Sequence, residues 1–178
     1  MAIVTSGTAT FNLDIVDICE EAYERAGMEM RSGYDLKSAR RSLSVMALEW
    51  ANRGLNLWTV REASIALVSG TATYNLPADV IDIMEQVVRT GTGTSQSDFT
   101  VSRMTASTYA ALAAKNTAGR PTQGYINRQT DNATVTLWPV PDDSIYTYQY
   151  WAIRRIEDLG VNTNGFDAPE RFVPALVA

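Results

Sequence analysis

Apolar residues in the first third of the chain recur at helical spacing. Ile15, Ile18, Cys19, Ala22, Tyr23 and Ala26 fall three or four apart within Asn12–Ala26, which predicts a helix with one apolar face. Asn12 or Asp14 suits its N-cap and Gly27 its end. The other face is acidic, with Asp14, Asp17, Glu20, Glu21 and Glu24. Leu36, Ala39, Leu43, Met46, Ala47 and Trp50 predict a second helix, capped by Asp35, ending near Arg53 and stopped by Gly54. Its polar side is basic, with Lys37, Arg40, Arg41 and Arg53. The two apolar stripes are expected to pack together and bury Leu43 and Trp50.

The period then changes. Trp58–Leu76 holds two β-prone runs joined by Ser69-Gly70, which reads as a hairpin. Pro77-Ala78-Asp79 makes a turn. "VIDIMEQVVRT" favours a strand, with a short helix as the alternative. Gly91–Ser97 is a polar, glycine-rich loop expected to be mobile. "DFTVSRM" predicts one short strand, and Thr105 or Ser107 caps a brief helix ending near Gly119. "RPTQGYINRQ", "ATVTLWPVP" and "IYTYQYWAIRRI" predict three more strands. In the last, Tyr146, Tyr148 and Tyr150 alternate with Thr147, Gln149 and Trp151. Asp131-Asn132 reads as a turn, and Gly160–Gly165 as a loop. Pro169 opens a final helix. That helix is still apolar at Ala178, so the chain is expected to continue beyond it.

An octamer occurs twice: "SGTATFNL" at Ser6–Leu13 and "SGTATYNL" at Ser69–Leu76. A repeat architecture needs several copies followed by a shared pattern. Here the first copy leads into a helix and the second closes a hairpin and meets Pro77. The octamer therefore reads as one local turn-and-strand chemistry used twice.

These elements give an α+β fold. N- and C-terminal helices are expected to form a helical bundle carrying an inserted antiparallel β-sheet domain, sandwich or barrel-like. The expected boundaries are 1–58 for the N-terminal helical part, 59–156 for the β-rich domain with one short helix, and 157–178 for the returning loop and helix.

Composition narrows the chemistry. Among 178 residues there is no histidine and one cysteine, Cys19. That removes Ser-His and Cys-His catalysis and a structural zinc site. Cys19 lies on the apolar stripe and reads as a small buried hydrophobe. "GTGTS" near Gly91 lacks the lysine and helix of a phosphate loop. Asp142-Asp143 and Glu157-Asp158 are adjacent carboxylates in turns, which read as solvated. No enzyme activity, cofactor, metal or membrane partner is expected. The net charge of −5 opposes broad nucleic-acid binding. An aromatic and arginine-bearing sheet face (Tyr146, Tyr148, Tyr150, Trp151, Arg154, Arg155) supports the alternative of a nucleic-acid-binding module, stacking single-stranded bases. The complementary helix faces nominate a subunit or portal interface: Asp17, Glu20, Glu24, Lys37, Arg40, Arg41 and Arg53.

Three stretches carry a family resemblance. "AGMEMRSGYDLKSARRSLSVMALEWANRGLNLWTVREASIALVSGTATYNLPADVIDI" resembles the N-terminal half of tailed-phage head-to-tail adaptors, and is similar to the tail tubular protein A type of short-tailed phages. The matching positions are Arg40-Arg41, Trp50, Asn52-Arg53-Gly54, Trp58, Tyr74, Leu76, Pro77 and Asp79. "GRPTQGYINRQTDNATVTLWPVPDD" and "YQYWAIRRIEDLG" resemble the later sheet of related virion proteins. The resemblance implies a structural virion protein of the phage neck. It implies a ring, commonly of twelve copies, joining the portal to the tail nozzle or tail tube. Genome DNA would pass through the channel without specific binding. It also implies assembly in the host cytoplasm and no bond chemistry.

Overall fold

The computed structural model describes residues 13–55, 57–128, 132–161 and 163–178. The chain divides into two compact units, one formed by the chain up to Trp58 together with Ile156–Ala178, the other by Thr59–Arg155.

In the helical unit, α1 spans Ile15–Arg25 and α2 spans Gly33–Asn52. Asp14 caps α1: its side chain accepts from Asp17 N, and the Asp17 carboxylate accepts from Asp14 N. The alternative cap, Asn12, lies outside the described residues, as do Ser6–Asn12 of the first octamer. The expected cap of α2 is corrected. Ser32 caps it, and Asp35 is the N3 partner that closes the capping box. A serine three residues before an acid is the usual signature of that box, so the helix begins a turn earlier than Asp35 suggested.

The apolar stripe of α1 is a core. Ile15 and Cys19 are buried with Leu159, packed by Met30, Leu36, Ala39, Leu43 and Phe166. Ile18 is buried with Leu176 and Val177 of α4 (Val173–Val177), packed by Ala22, Leu43, Met46, Trp50 and Phe166. A 3-10 turn, Glu170–Phe172, follows Pro169 and leads into α4. The stripe of α2 is less covered than expected: only Ala47 is buried, while Leu43 and Trp50 are half-buried. Trp50 instead joins an aromatic group. Its ring centroid lies 6.4 Å from Trp58, 6.1 Å from Phe166 and 6.0 Å from Phe172. Trp58 Nε1 donates to Asp167 O at 2.8 Å.

Among the described residues the β-rich unit has eight strands: β1 Val60–Ala66, β2 Thr73–Asn75, β3 Val80–Thr90, β4 Ser97–Thr100, β5 Ser102–Met104, β6 Gln123–Asn127, β7 Thr134–Trp138 and β8 Thr147–Arg154. They form two four-stranded sheets, ordered β1-β8-β3-β4 and β2-β7-β6-β5. Both sheets contribute to one buried core that includes Leu67, Ile83, Val88, Val135, Leu137, Tyr148 and Tyr150. The expected antiparallel sheet holds for the first. The second is mixed, because β5 runs parallel to β6.

Two strand readings need correction. Ser69-Gly70 is a turn, with Gly70 at φ 79° and Thr71 N donating to Val68 O at 3.0 Å. The strands it joins do not pair with each other: β1 pairs with β8 and β2 with β7. "DFTVSRM" is two strands, in different sheets. The break falls at Val101, which is buried in the core and whose N–H bonds to Gln86 O. The short helix α3, Ala106–Ala111, is capped by Thr105. It ends at Ala111, well before Gly119, and the Lys115 amine caps that end by donating to Ala110 O and Leu112 O. Tyr109 of α3 stacks on Tyr125 of β6 at 4.9 Å.

Polar groups inside this unit are paired. The Tyr148 hydroxyl donates to Gln86 Oε1 at 2.5 Å, and both residues are buried. Gln86 in turn lies against Gly124 of β6, where a Cβ would sit 2.9 Å from Gln86 Oε1. Asp82 binds two arginines, Arg103 at 2.8 Å and Arg128 at 2.7 Å. Arg103 lies on β5, so this carboxylate ties the two sheets together.

Candidate functional site

Helical geometry sets the two charged faces of the helical unit. At about 3.6 residues per turn, the carboxylates of α1 lie roughly opposite its apolar stripe. Asp17, Glu20, Glu21 and Glu24 are all exposed. With Leu13 and the α4 residues Val173, Pro174 and Val177, they line a groove of about 520 Å³. The groove is thus acidic along α1 and apolar along α4. Arg25 at its end pairs with Glu21 at 2.8 Å.

The basic side of α2 lines a second groove, of about 490 Å³, with Asp158, Leu159 and Gly160. Lys37, Arg40, Arg41, Ser44, Val45 and Leu48 form its helical wall. Val45 and Leu48 are 59% and 62% exposed, on the same ridge as Lys37 and Arg41. This mixture of aliphatic and cationic groups was not legible as a site. Val45 and Leu48 fall outside the core stripe, and their exposure is the signal.

The structure sorts the interface residues nominated from the sequence. Asp17, Glu20 and Glu24 come together in one groove, and Lys37, Arg40 and Arg41 in the other. Arg53 joins neither; it pairs with Glu49 one turn back on α2. Arg40 is half-buried and donates from Nη2 to Gly160 O. It therefore holds the 158–160 segment on α2 within its own copy. Its charge lies near Cys19, whose thiol is pushed up by burial and drawn down, more weakly, by Arg40. A buried cysteine held in thiol form is poorly suited to nucleophilic work.

The aromatic sheet face does not form. Tyr148 and Tyr150 are 0% and 1% exposed and belong to the core, and Tyr146 packs against it half-buried. Burial raises the pKa of both core tyrosines. Trp151 points to the other face, in register between Glu62 of β1 and Glu85 of β3. An aromatic flanked by two acids repels a phosphate chain, so the platform required by the nucleic-acid reading is missing from β8.

The carboxylate pairs behave as turn residues. Asp158 Oδ1 accepts from Gly160 N at 3.0 Å, and Asp142 O accepts from Ser69 Oγ at 2.9 Å. Asp131 lies outside the described residues. Among those residues no group of three or more histidine, cysteine, aspartate or glutamate side chains is placed to hold a metal ion. No helix among them is long and apolar enough to cross a membrane.

No curated protein matches the chain. A family model described as SU10 adaptor protein matches residues 21–178. The match spans both charged grooves except for Leu13, Asp17 and Glu20, and it covers the whole β-rich unit. The chain belongs to the SU10 adaptor protein family, a family of phage adaptors.

Proposed function

We propose that the chain is a non-enzymatic structural protein of the phage neck, of the tail tubular protein A type. Its copies close into a ring, of about twelve in line with the family resemblance, between the portal and the tail nozzle or tail tube. The helices of the two chain ends act as a bundle that carries the subunit contacts, and the β-rich insertion, 59–156, is presented to other neck proteins. The ring surrounds the channel through which DNA leaves, and a net charge of −5 per subunit keeps the wall from holding the genome. The proposed setting is the virion, reached by assembly in the host cytoplasm.

The observation that carries this reading is the pair of oppositely charged grooves on one helical unit. A head-to-tail contact repeats until it closes, and it needs two different, complementary surfaces on each copy. Exposed ion pairs are worth ~0–1 kcal/mol each, so a dilute subunit remains a monomer or small oligomer. A preformed portal ring raises the effective concentration of neighbours and lets weak contacts act together.

The test mixes the purified chain with its portal ring and sediments the mixture at low salt. Co-sedimentation as a closed ring is expected. A chain that never travels with the portal overturns the reading. A labelled single-stranded oligonucleotide in the same mixture is expected to stay free. Salt-sensitive retention of it would favour the nucleic-acid-binding alternative.

A further inference from the structure

We propose that the outer ridge of α2 seats in the α1–α4 groove of a second copy of this chain, with α1 of that copy entering the groove between α2 and residues 158–160. The proposal rests on the adaptor-ring reading for its choice of partner and adds the surfaces that meet. Lys37, Arg41, Val45 and Leu48 lie at i, i+4, i+8 and i+11 on α2, which makes one continuous ridge. Its first half is cationic and its second half aliphatic. The α1–α4 groove offers both kinds of partner, acids along its α1 side and apolar groups along its α4 side. Asp17, Glu20, Glu21 and Glu24 supply anions at i, i+3, i+4 and i+7, and half-buried Val173 and exposed Pro174 supply apolar surface, with Val177 buried beneath them.

The two charge rows share a spacing. Four residues of helix rise about 6 Å, so Lys37 and Arg41 are set apart by about the distance between successive acidic turns of α1. Ridges that match grooves in this way are the ordinary mode of helix packing. Val45 and Leu48 lie along the α4 side, against Val173 and Pro174, and a groove of about 520 Å³ has room for both side chains. Arg40 contributes little, because it is already bonded to Gly160 O in its own copy. The ridge and the groove lie on different helices of one unit, each turned from the α1–α2 contact. One copy therefore offers both halves of the contact at once, which favours a chain of copies over a two-fold dimer.

The chain has only two lysines, Lys37 and Lys115, so zero-length carbodiimide crosslinking reads the contact directly. A concentrated equal mixture of nitrogen-15-labelled and unlabelled full chain, where mass action replaces the portal in bringing neighbours together, is treated at low salt, digested and weighed. The expected product is a mixed-isotope crosslink from Lys37 to Glu20, Glu21 or Glu24, with a covalent ladder running past dimer. Lys37→Arg removes the crosslink without changing sedimentation. Lys37→Glu/Arg41→Glu alone and Glu20→Lys/Glu24→Lys alone lose the ladder, while an equal mixture of the two variants restores it. All four positions are exposed, and unchanged circular dichroism confirms that the variants fold. Absence of a mixed-isotope product, a product through Lys115 alone, a ladder that stops at dimer, or a ladder that survives in both reversed variants overturns the proposal. Portal co-sedimentation of the same preparation separates the two readings. Portal binding without the Lys37 crosslink rejects this seat and leaves the adaptor reading standing. The crosslink without portal binding does the reverse.

Discussion

Removing one oxygen atom, by Tyr148→Phe, is expected to weaken the β-rich unit measurably. The Tyr148 hydroxyl donates to Gln86 Oε1 at 2.5 Å. Tyr148 is 0% and Gln86 4% exposed, so water cannot replace the lost donor cheaply. Phenylalanine keeps the ring and its stacking on Tyr150, whose centroid is 5.4 Å away. The change therefore isolates the hydrogen bond. Leaving a buried acceptor unpaired costs about 1–3 kcal/mol. In a unit of roughly 100 residues, each kcal/mol lowers the melting midpoint by about 4–8 °C, so the drop is large enough to measure by calorimetry. A double-mutant cycle with Gln86→Leu completes the test. Removing both polar partners is predicted to cost less than the two single changes together, by about 1 kcal/mol or more. A Tyr148→Phe variant as stable as the parent, or strictly additive costs in the cycle, would refute the pairing argument.

Three further outcomes follow from local geometry. Gly91 has φ +72°, and a Cβ there would meet Ser95 O at 2.3 Å. Gly91→Ala is thus expected to destabilise the β3–β4 connection by on the order of 1–3 kcal/mol, seen as faster amide exchange in Gly91–Ser97 and in β4. Tyr74 accepts from Val68 N and donates to Thr71 O, both at 2.9 Å. Tyr74→Phe should cost about 0.5–1.5 kcal/mol by denaturant unfolding. Arg89 grips Asp98 through two bonds of 2.8 Å and holds its carboxyl below the usual range. Because the folded pKa is depressed, this contribution is full above the ordinary carboxylate pKa and is lost as pH falls through the folded value. Asp98→Asn should abolish that part of the acid dependence, read from unfolding curves at descending pH.

Local chemistry was legible in the sequence, and distant partnership was not. Gly27 and Asp14 announced helix ends, because capping depends on residues a few positions apart, whereas Asp35 reads as the cap of α2 but is the N3 partner of Ser32. The turn at Ser69-Gly70 was equally visible, but the partners of the strands beside it were not. β1 finds β8 and β2 finds β7 far along the chain, and no periodicity encodes that choice. The same limit applies to Arg40. Its place on a basic helix face suggested an interface, whereas its partner, Gly160 O, lies 120 residues away. The alternation of the tyrosines marked one face of β8 correctly at Tyr148 and Tyr150, with Tyr146 packed against the same core just before the strand. Which face meets the core depended on the second sheet, and the core took the tyrosines. The twice-used octamer has a local reason in its second copy: the Tyr74 hydroxyl bonds the turn at Val68 and Thr71. Phe11 carries no hydroxyl, so the first copy cannot repeat that bond. In the candidate site, the charges were readable from helical spacing. Val45 and Leu48 were not, since an exposed aliphatic residue is ordinary until its neighbours are placed.

The most direct measurement is an electron cryomicroscopy reconstruction of the neck of the intact particle. The account predicts density for this chain as a closed ring between portal and tail. Neighbouring copies would touch through the Lys37–Leu48 ridge and the acidic α1–α4 groove. A chain located elsewhere in the particle, or absent from it, would contradict the adaptor claim. A ring in the predicted place whose neighbours meet through other surfaces would contradict only the proposed seat.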